Sequence, residues 1–82
     1  MPKLRTLSGR ELLQIFSRFG FQPILQRGSH VKLRRVLQGG TKQTFTIVLH
    51  HELDKGTLRA IYRDGLRFIP EAELHPHFYS ET

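Results

Sequence analysis

His30, Lys32 and Arg34 carry the chemistry most visible in this chain. They alternate with Val31 and Leu33, and alternate residues of an extended strand share a face. If Val31 and Leu33 enter a core, one imidazole and two fixed cations stand together on the open side. Imidazole exchanges a proton near neutral pH. Lysine and arginine hold phosphate. That is the minimum equipment for working on a nucleic-acid backbone. Arg27-Gly28-Ser29 leads into the strand as a tight turn. The plainer reading makes the turn ordinary and His30 an incidental surface residue.

The elements that must position these groups are legible from periodicity. Residues 1–7 read as a loose basic arm. Ser8-Gly9-Arg10-Glu11 fits a capping box, with Ser8 as N-cap and Glu11 reaching back to it. Leu12, Ile15, Phe16 and Phe19 recur at helical spacing and Gly20 supplies a stop, so Ser8–Phe19 is a first helix. Phe21–Gln26 is a strand in which Pro23 belongs at an edge or a bulge. His30–Val36 is the second strand, Leu37–Gln43 a hairpin loop, and Thr44–Leu49 the third strand. A second helix starts near Asp54 or Lys55, buries Leu58 and Ile61, and ends at Gly65. Pro70 suits the first position of a short third helix, Pro70–Leu74. His75–Thr82 reads as a frayed tail. Short turns make the strands an antiparallel meander, and both main helices must cover one sheet face. The opposite face stays wet and bears His30, Lys32 and Arg34.

Composition narrows the class. Eighty-two residues make one small domain, with a core over about residues 8–74. Cysteine is absent, which excludes a disulfide framework and a thiolate nucleophile. No apolar run suggests a signal peptide or a membrane span, so a soluble, cytoplasmic protein is expected. The net charge is +6 and unevenly placed. Residues 1–42 hold nine Lys/Arg against one acid, whereas residues 43–82 hold four against six. Such asymmetry suggests an anionic partner, most often nucleic acid or a membrane surface. A charge that serves only solubility is the competing explanation.

Four features together resemble the HicA toxin family, also described as YcfA-like. They are the short helix ending at Phe19-Gly20-Phe21, then Gly28-Ser29-His30, then Ile47-Val48-Leu49-His50-His51. The fourth is Lys55-Gly56-Thr57-Leu58-Arg59-Ala60-Ile61 followed by Asp64-Gly65-Leu66. The resemblance implies an α+β, double-stranded-RNA-binding-like fold of order α-β-β-β-α, with a three-stranded antiparallel sheet. It implies an mRNA-cleaving toxin of a toxin–antitoxin pair, and a HicB-type antitoxin that covers the active face. It also maps the family's functional histidine onto His30.

RNA supplies its own nucleophile, the 2′-hydroxyl, so protons and phosphorane charge are all a protein must manage. No metal or cofactor is expected. His30 is the expected general base or acid. Lys32 and Arg34 would hold the scissile phosphate, with Arg27 and Lys55 on neighbouring phosphates. His50 is the candidate for a second proton-transfer role, because strand parity puts it on the face of His30. Its plainer reading is a cap on the third strand. His51 has the opposite parity and reads as structural. His75-Pro76-His77 and His50-His51 are the only clustered imidazoles, and without cysteine or an acidic triad they make a weak case for zinc. Two other functions compete with the nuclease. One is a non-catalytic RNA-binding module of the same fold. The other is an interaction protein whose sheet receives another chain. A monomer is expected when the protein is free.

Overall fold

The computed structural model describes residues 1–81. Its elements run β1 (Lys3–Leu4), α1 (Gly9–Ser17), β2 (Gln22–Arg27), β3 (His30–Val36) and β4 (Lys42–Val48). They continue with α2 (Lys55–Leu66), α3 (Glu71–Phe78) and β5 (Tyr79–Ser80). The main sheet is antiparallel in the order β2-β3-β4. This is the α+β arrangement expected, with the α-β-β-β-α order inside a longer frame.

The sheet obeys its alternation. Val31, Leu33, Phe45 and Ile47 are buried on the side facing α1 and α2, while His30, Lys32 and Thr46 are exposed on the other. Against them lie Leu12, Phe16, Leu58, Ile61 and Leu74, in one continuous core. The Phe16 ring meets Phe21, Phe45 and Phe78 at centroid distances of 4.8–6.3 Å. Pro23 does sit at a bulge. It pairs with Leu33, Leu25 pairs with Lys32, and Ile24 is the extra residue between them. β4 starts two residues earlier than the pattern suggests, because Lys42 and Gln43 pair with Val36 and Arg35.

α1 starts as its sequence dictates. Ser8 Oγ accepts from Glu11 N at 3.1 Å, and Glu11 Oε1 accepts from Ser8 N at 2.9 Å. Gly9 has a further duty. A Cβ there would run into Leu49 Cα and lie 2.5 Å from Val48 O, so only glycine lets α1 meet the end of β4. Gly9 N donates to His50 O at 2.8 Å and fixes that approach.

Three expectations are corrected. The N-terminal arm is not loose: Lys3–Leu4 pairs antiparallel with Tyr79–Ser80, Arg5 N donates to Phe78 O at 2.8 Å, and Leu7 is buried. The tail is not frayed through residue 80: α3 runs through Pro76 to Phe78, which is fully buried, and Tyr79–Ser80 forms β5. Thr82 lies outside the described residues. Burying a phenylalanine contributes about 2–3 kcal/mol, which outweighs the single helical hydrogen bond that Pro76 removes. Gly65 does not end α2; it lies inside it, where a Cβ would be 2.8 Å from Leu74 Cδ2 and 3.0 Å from Phe16 Cε1. Its small size lets α2 pack closely.

Arg35 closes the far end of the sheet. It has the parity of Val31 and Leu33, so its side chain runs toward the core side. Nη1 donates to Phe19 O at 3.0 Å and Nη2 to Phe68 O at 2.8 Å. Nε and Nη2 both donate to Gln43 Oε1, at 2.9 and 2.6 Å. The guanidinium also lies 4.7 Å from the Phe21 ring centroid. One side chain thus ties the end of α1 to the loop after α2.

Candidate active site

Register assembles the site. Arg27 pairs with His30, and His30 with Val48. The next rung is Leu25, Lys32 and Thr46, and the next is Gln22, Arg34 and Thr44. Leu25, Arg27, His30, Lys32 and Thr46 line an open cleft of about 240 Å³ on the wet face. No carboxylate among the described residues lines it. His30 is exposed there, between the cations of Arg27 and Lys32. A phosphate resting in this cleft would meet two cations, one imidazole and one hydroxyl.

The other expected residues are placed differently. Arg34 is on the same face but one rung further on, and its Nε donates to Thr44 Oγ1 at 3.3 Å. Lys55 is exposed at the first turn of α2, outside the His30 cleft. Asp54 caps that helix, accepting from Thr57 N at 3.1 Å and Thr57 Oγ1 at 2.7 Å. The side-chain bond from Thr57 holds the Asp54 carboxyl below the usual carboxylate range.

His50 lies past the end of β4, in a second and larger cleft of about 770 Å³. Ser8, Arg10, Leu13, Gln26, Gly28, Ser29, Leu49, His50 and His51 line it. Ser29 Oγ is 3.5 Å from His50 Nε2. Strand parity separates His50 from His51 in the sequence, but the strand stops at Val48, and both residues line this cleft. The Gly28-Ser29 turn stands between the two clefts. The structure therefore brings Arg27, His30 and Lys32 together and does not bring His50 into their cleft.

Leu25 and Thr46 are the cleft residues that sequence reading left out of the site, and Thr46 is the polar one. The alternation Thr44, Thr46 against Phe45, Ile47 was the signal that could have found it. Tyr62 and His77 lie outside both clefts. Burial pushes the Tyr62 phenol up to about 12, helped by the bond its hydroxyl donates to Glu71 Oε2 at 3.2 Å. Burial, with Arg18 and Arg5 nearby, lowers the His77 imidazole below its ordinary value. No three His, Asp or Glu side chains among the described residues converge on a point that would suit a metal ion. No helix among them is long and apolar enough to cross a membrane.

A family model described as the HicA toxin of bacterial toxin–antitoxin systems matches residues 9–66 of the chain. Comparison with curated proteins and with solved structures gives no match. The matched span runs from the first residue of α1 to the last of α2, and so contains the whole main sheet, the His30 cleft and every residue lining the larger cleft but Ser8. The chain thus belongs to the HicA toxin family, whose toxins are each paired with an antitoxin.

Proposed function

We propose that this protein is an endoribonuclease toxin that cuts mRNA without a metal ion and so blocks translation in the cytoplasm. The observation that carries the reading is the cleft in which His30 stands between Arg27 and Lys32. His30 takes the proton of a ribose 2′-hydroxyl. The 2′-oxygen attacks the adjacent phosphorus, and the bond from phosphorus to the 5′-oxygen breaks. The departing oxygen takes a proton and becomes a 5′-hydroxyl, leaving a 2′,3′-cyclic phosphate on the other fragment. Lys32 and Arg27 face the negative charge that grows on the phosphorane, with Arg34 along the same face. Thr46 offers a hydroxyl to a non-bridging oxygen. Lys55, at the start of α2, suits a phosphate further along the strand. The second proton has two candidates, water in the open cleft and His50; the separate cleft of His50 favours water. An antitoxin of the HicB type would silence the enzyme by covering the His30 face.

The test is cleavage of mixed-sequence RNA in EDTA by the wild type and by His30→Ala. A general base contributes about 10²–10⁴-fold, and the variant should lose at least the lower figure. The ends of the products should be cyclic phosphate and 5′-hydroxyl. Ends bearing 5′-phosphate would refute the mechanism, since they require attack by water. Salt-dependent RNA binding by both proteins, with cleavage by neither, would leave a non-catalytic RNA-binding module.

A further inference from the structure

The larger cleft is separate from that of His30, yet it is built from the same kinds of group. Arg10, His50 and His51 are exposed on its walls, and Ser29 adds a hydroxyl. No acidic residue among those described lines it. Glu11, the one acid of the first 42 residues, does not line it, and its Oε1 accepts from Ser8 N. The cleft is also fixed in place: Gly9 N to His50 O and Leu49 N to Ser29 O, at 2.8 and 2.7 Å, bind its walls together.

This cleft opens beside α1 and that of His30 on the wet face of the sheet, and the Gly28-Ser29 turn lies where the two approach at the end of the β2–β3 hairpin. Gly28 has φ +59°, and no atom lies within 4 Å of where its Cβ would stand. Gly28 itself puts no side chain in the way; a chain crossing the turn meets Ser29 and the Gln26 amide, which donates to Gly28 O at 2.9 Å. Arg27 and His30 lie on one side of the crossing, and Gly28, Ser29 and His50 on the other.

We propose that the cleft of Arg10, His50 and His51 is a phosphate subsite. An RNA strand whose scissile phosphate lies at His30 crosses the Gly28-Ser29 turn and sets a neighbouring phosphate in this second cleft. Arg10 supplies the permanent charge, and the two imidazoles and Ser29 donate hydrogen bonds. His50 is then a residue that positions the strand. The inference rests on the ribonuclease reading above for its ligand.

Arg10→Glu is the informative variant. Arg10 lies in the first turn of α1, where a carboxylate suits the helix dipole, so this variant should melt no lower than the wild type. Binding of a mixed-sequence single-stranded 2′-O-methyl RNA, which 2′-hydroxyl attack cannot cleave, is measured across a salt series. Arg63→Glu makes the same charge change on the exposed side of α2, outside both clefts. Arg10→Glu should weaken binding at least about tenfold more than Arg63→Glu. It should also flatten the slope of log K against log salt by about 0.7, one lost single-strand phosphate contact. His51→Gln should weaken binding in the same direction. Equal effects of Arg10→Glu and Arg63→Glu on a wild type that does bind RNA would overturn the subsite alone. A wild type with no salt-dependent RNA binding would overturn both the subsite and the nuclease reading.

Discussion

Arg35→Ala should cost this protein a large share of its stability. The guanidinium donates to two main-chain carbonyls, Phe19 O and Phe68 O, and to Gln43 Oε1 through two nitrogens. A hydrogen bond from a charged donor contributes about 1.5–3 kcal/mol when sheltered. These are part-buried, so water replaces some of each, and about 1 kcal/mol per carbonyl is the reasonable figure. The Gln43 fork and the contact with Phe21 add about 0.5 kcal/mol each. Arg35→Ala should therefore lose about 3 kcal/mol. A domain of this size has roughly 4–12 kcal/mol in total. At about 4–8 °C per kcal/mol, the melting temperature should drop by roughly 12–24 °C. Arg35→Lys should fall about halfway, because one ammonium cannot reach three separated acceptors. The assay is thermal and urea unfolding of the three proteins side by side. A melting temperature for Arg35→Ala within about 3 °C of the wild type would refute the assignment of Arg35 as the tie between α1 and the loop after α2.

Two further predictions concern packing and pH. Gly9→Ala places a methyl group against the Leu49 and Val48 backbone, so α1 must shift; urea unfolding should show a loss of at least about 1–3 kcal/mol, despite alanine's better helix propensity. The His77 imidazole is lowered by burial and by Arg18 and Arg5, so the unfolded chain takes up its proton first as pH falls. Stability should thus decline as pH drops below the ordinary histidine value of about 6.5 and level off below the folded value. His77→Gln, compared with the wild type by urea midpoint at mildly acidic and neutral pH, should have a shallower decline; parallel curves would contradict it.

The chain's own sequence determined much of what matters locally. The capping box at Ser8 and Glu11 places α1 within a residue of the expected start, because both partners lie three residues apart. Alternation in 30–36 sets His30 and Lys32 opposite Val31 and Leu33, since side-chain direction in a strand follows from parity alone. The four motifs that resemble the HicA toxins fall in order, and the family match follows them. Parity carries no information beyond a strand's last residue: the strand ends at Val48 and the chain turns toward Gly9, so His50 lines the larger cleft and not that of His30.

Contacts between distant residues were decided only by tertiary structure. Lys3–Leu4 and Tyr79–Ser80 are weak strands by themselves and exist because each completes the other. Phe78 extends α3 because a pocket beside Phe16 and Tyr62 awaits its ring. Gly9 and Gly65 read as helix-edge signals in the sequence, yet each marks a place where another element comes too close for a Cβ. Arg35 counts as one more cation of a basic half until the fold brings two carbonyls to it. The sequence by itself settles which groups a residue can offer and which way its strand or helix turns it. Which of those groups meet, and which are consumed holding the molecule together, depends on surfaces that form only when the whole chain has closed.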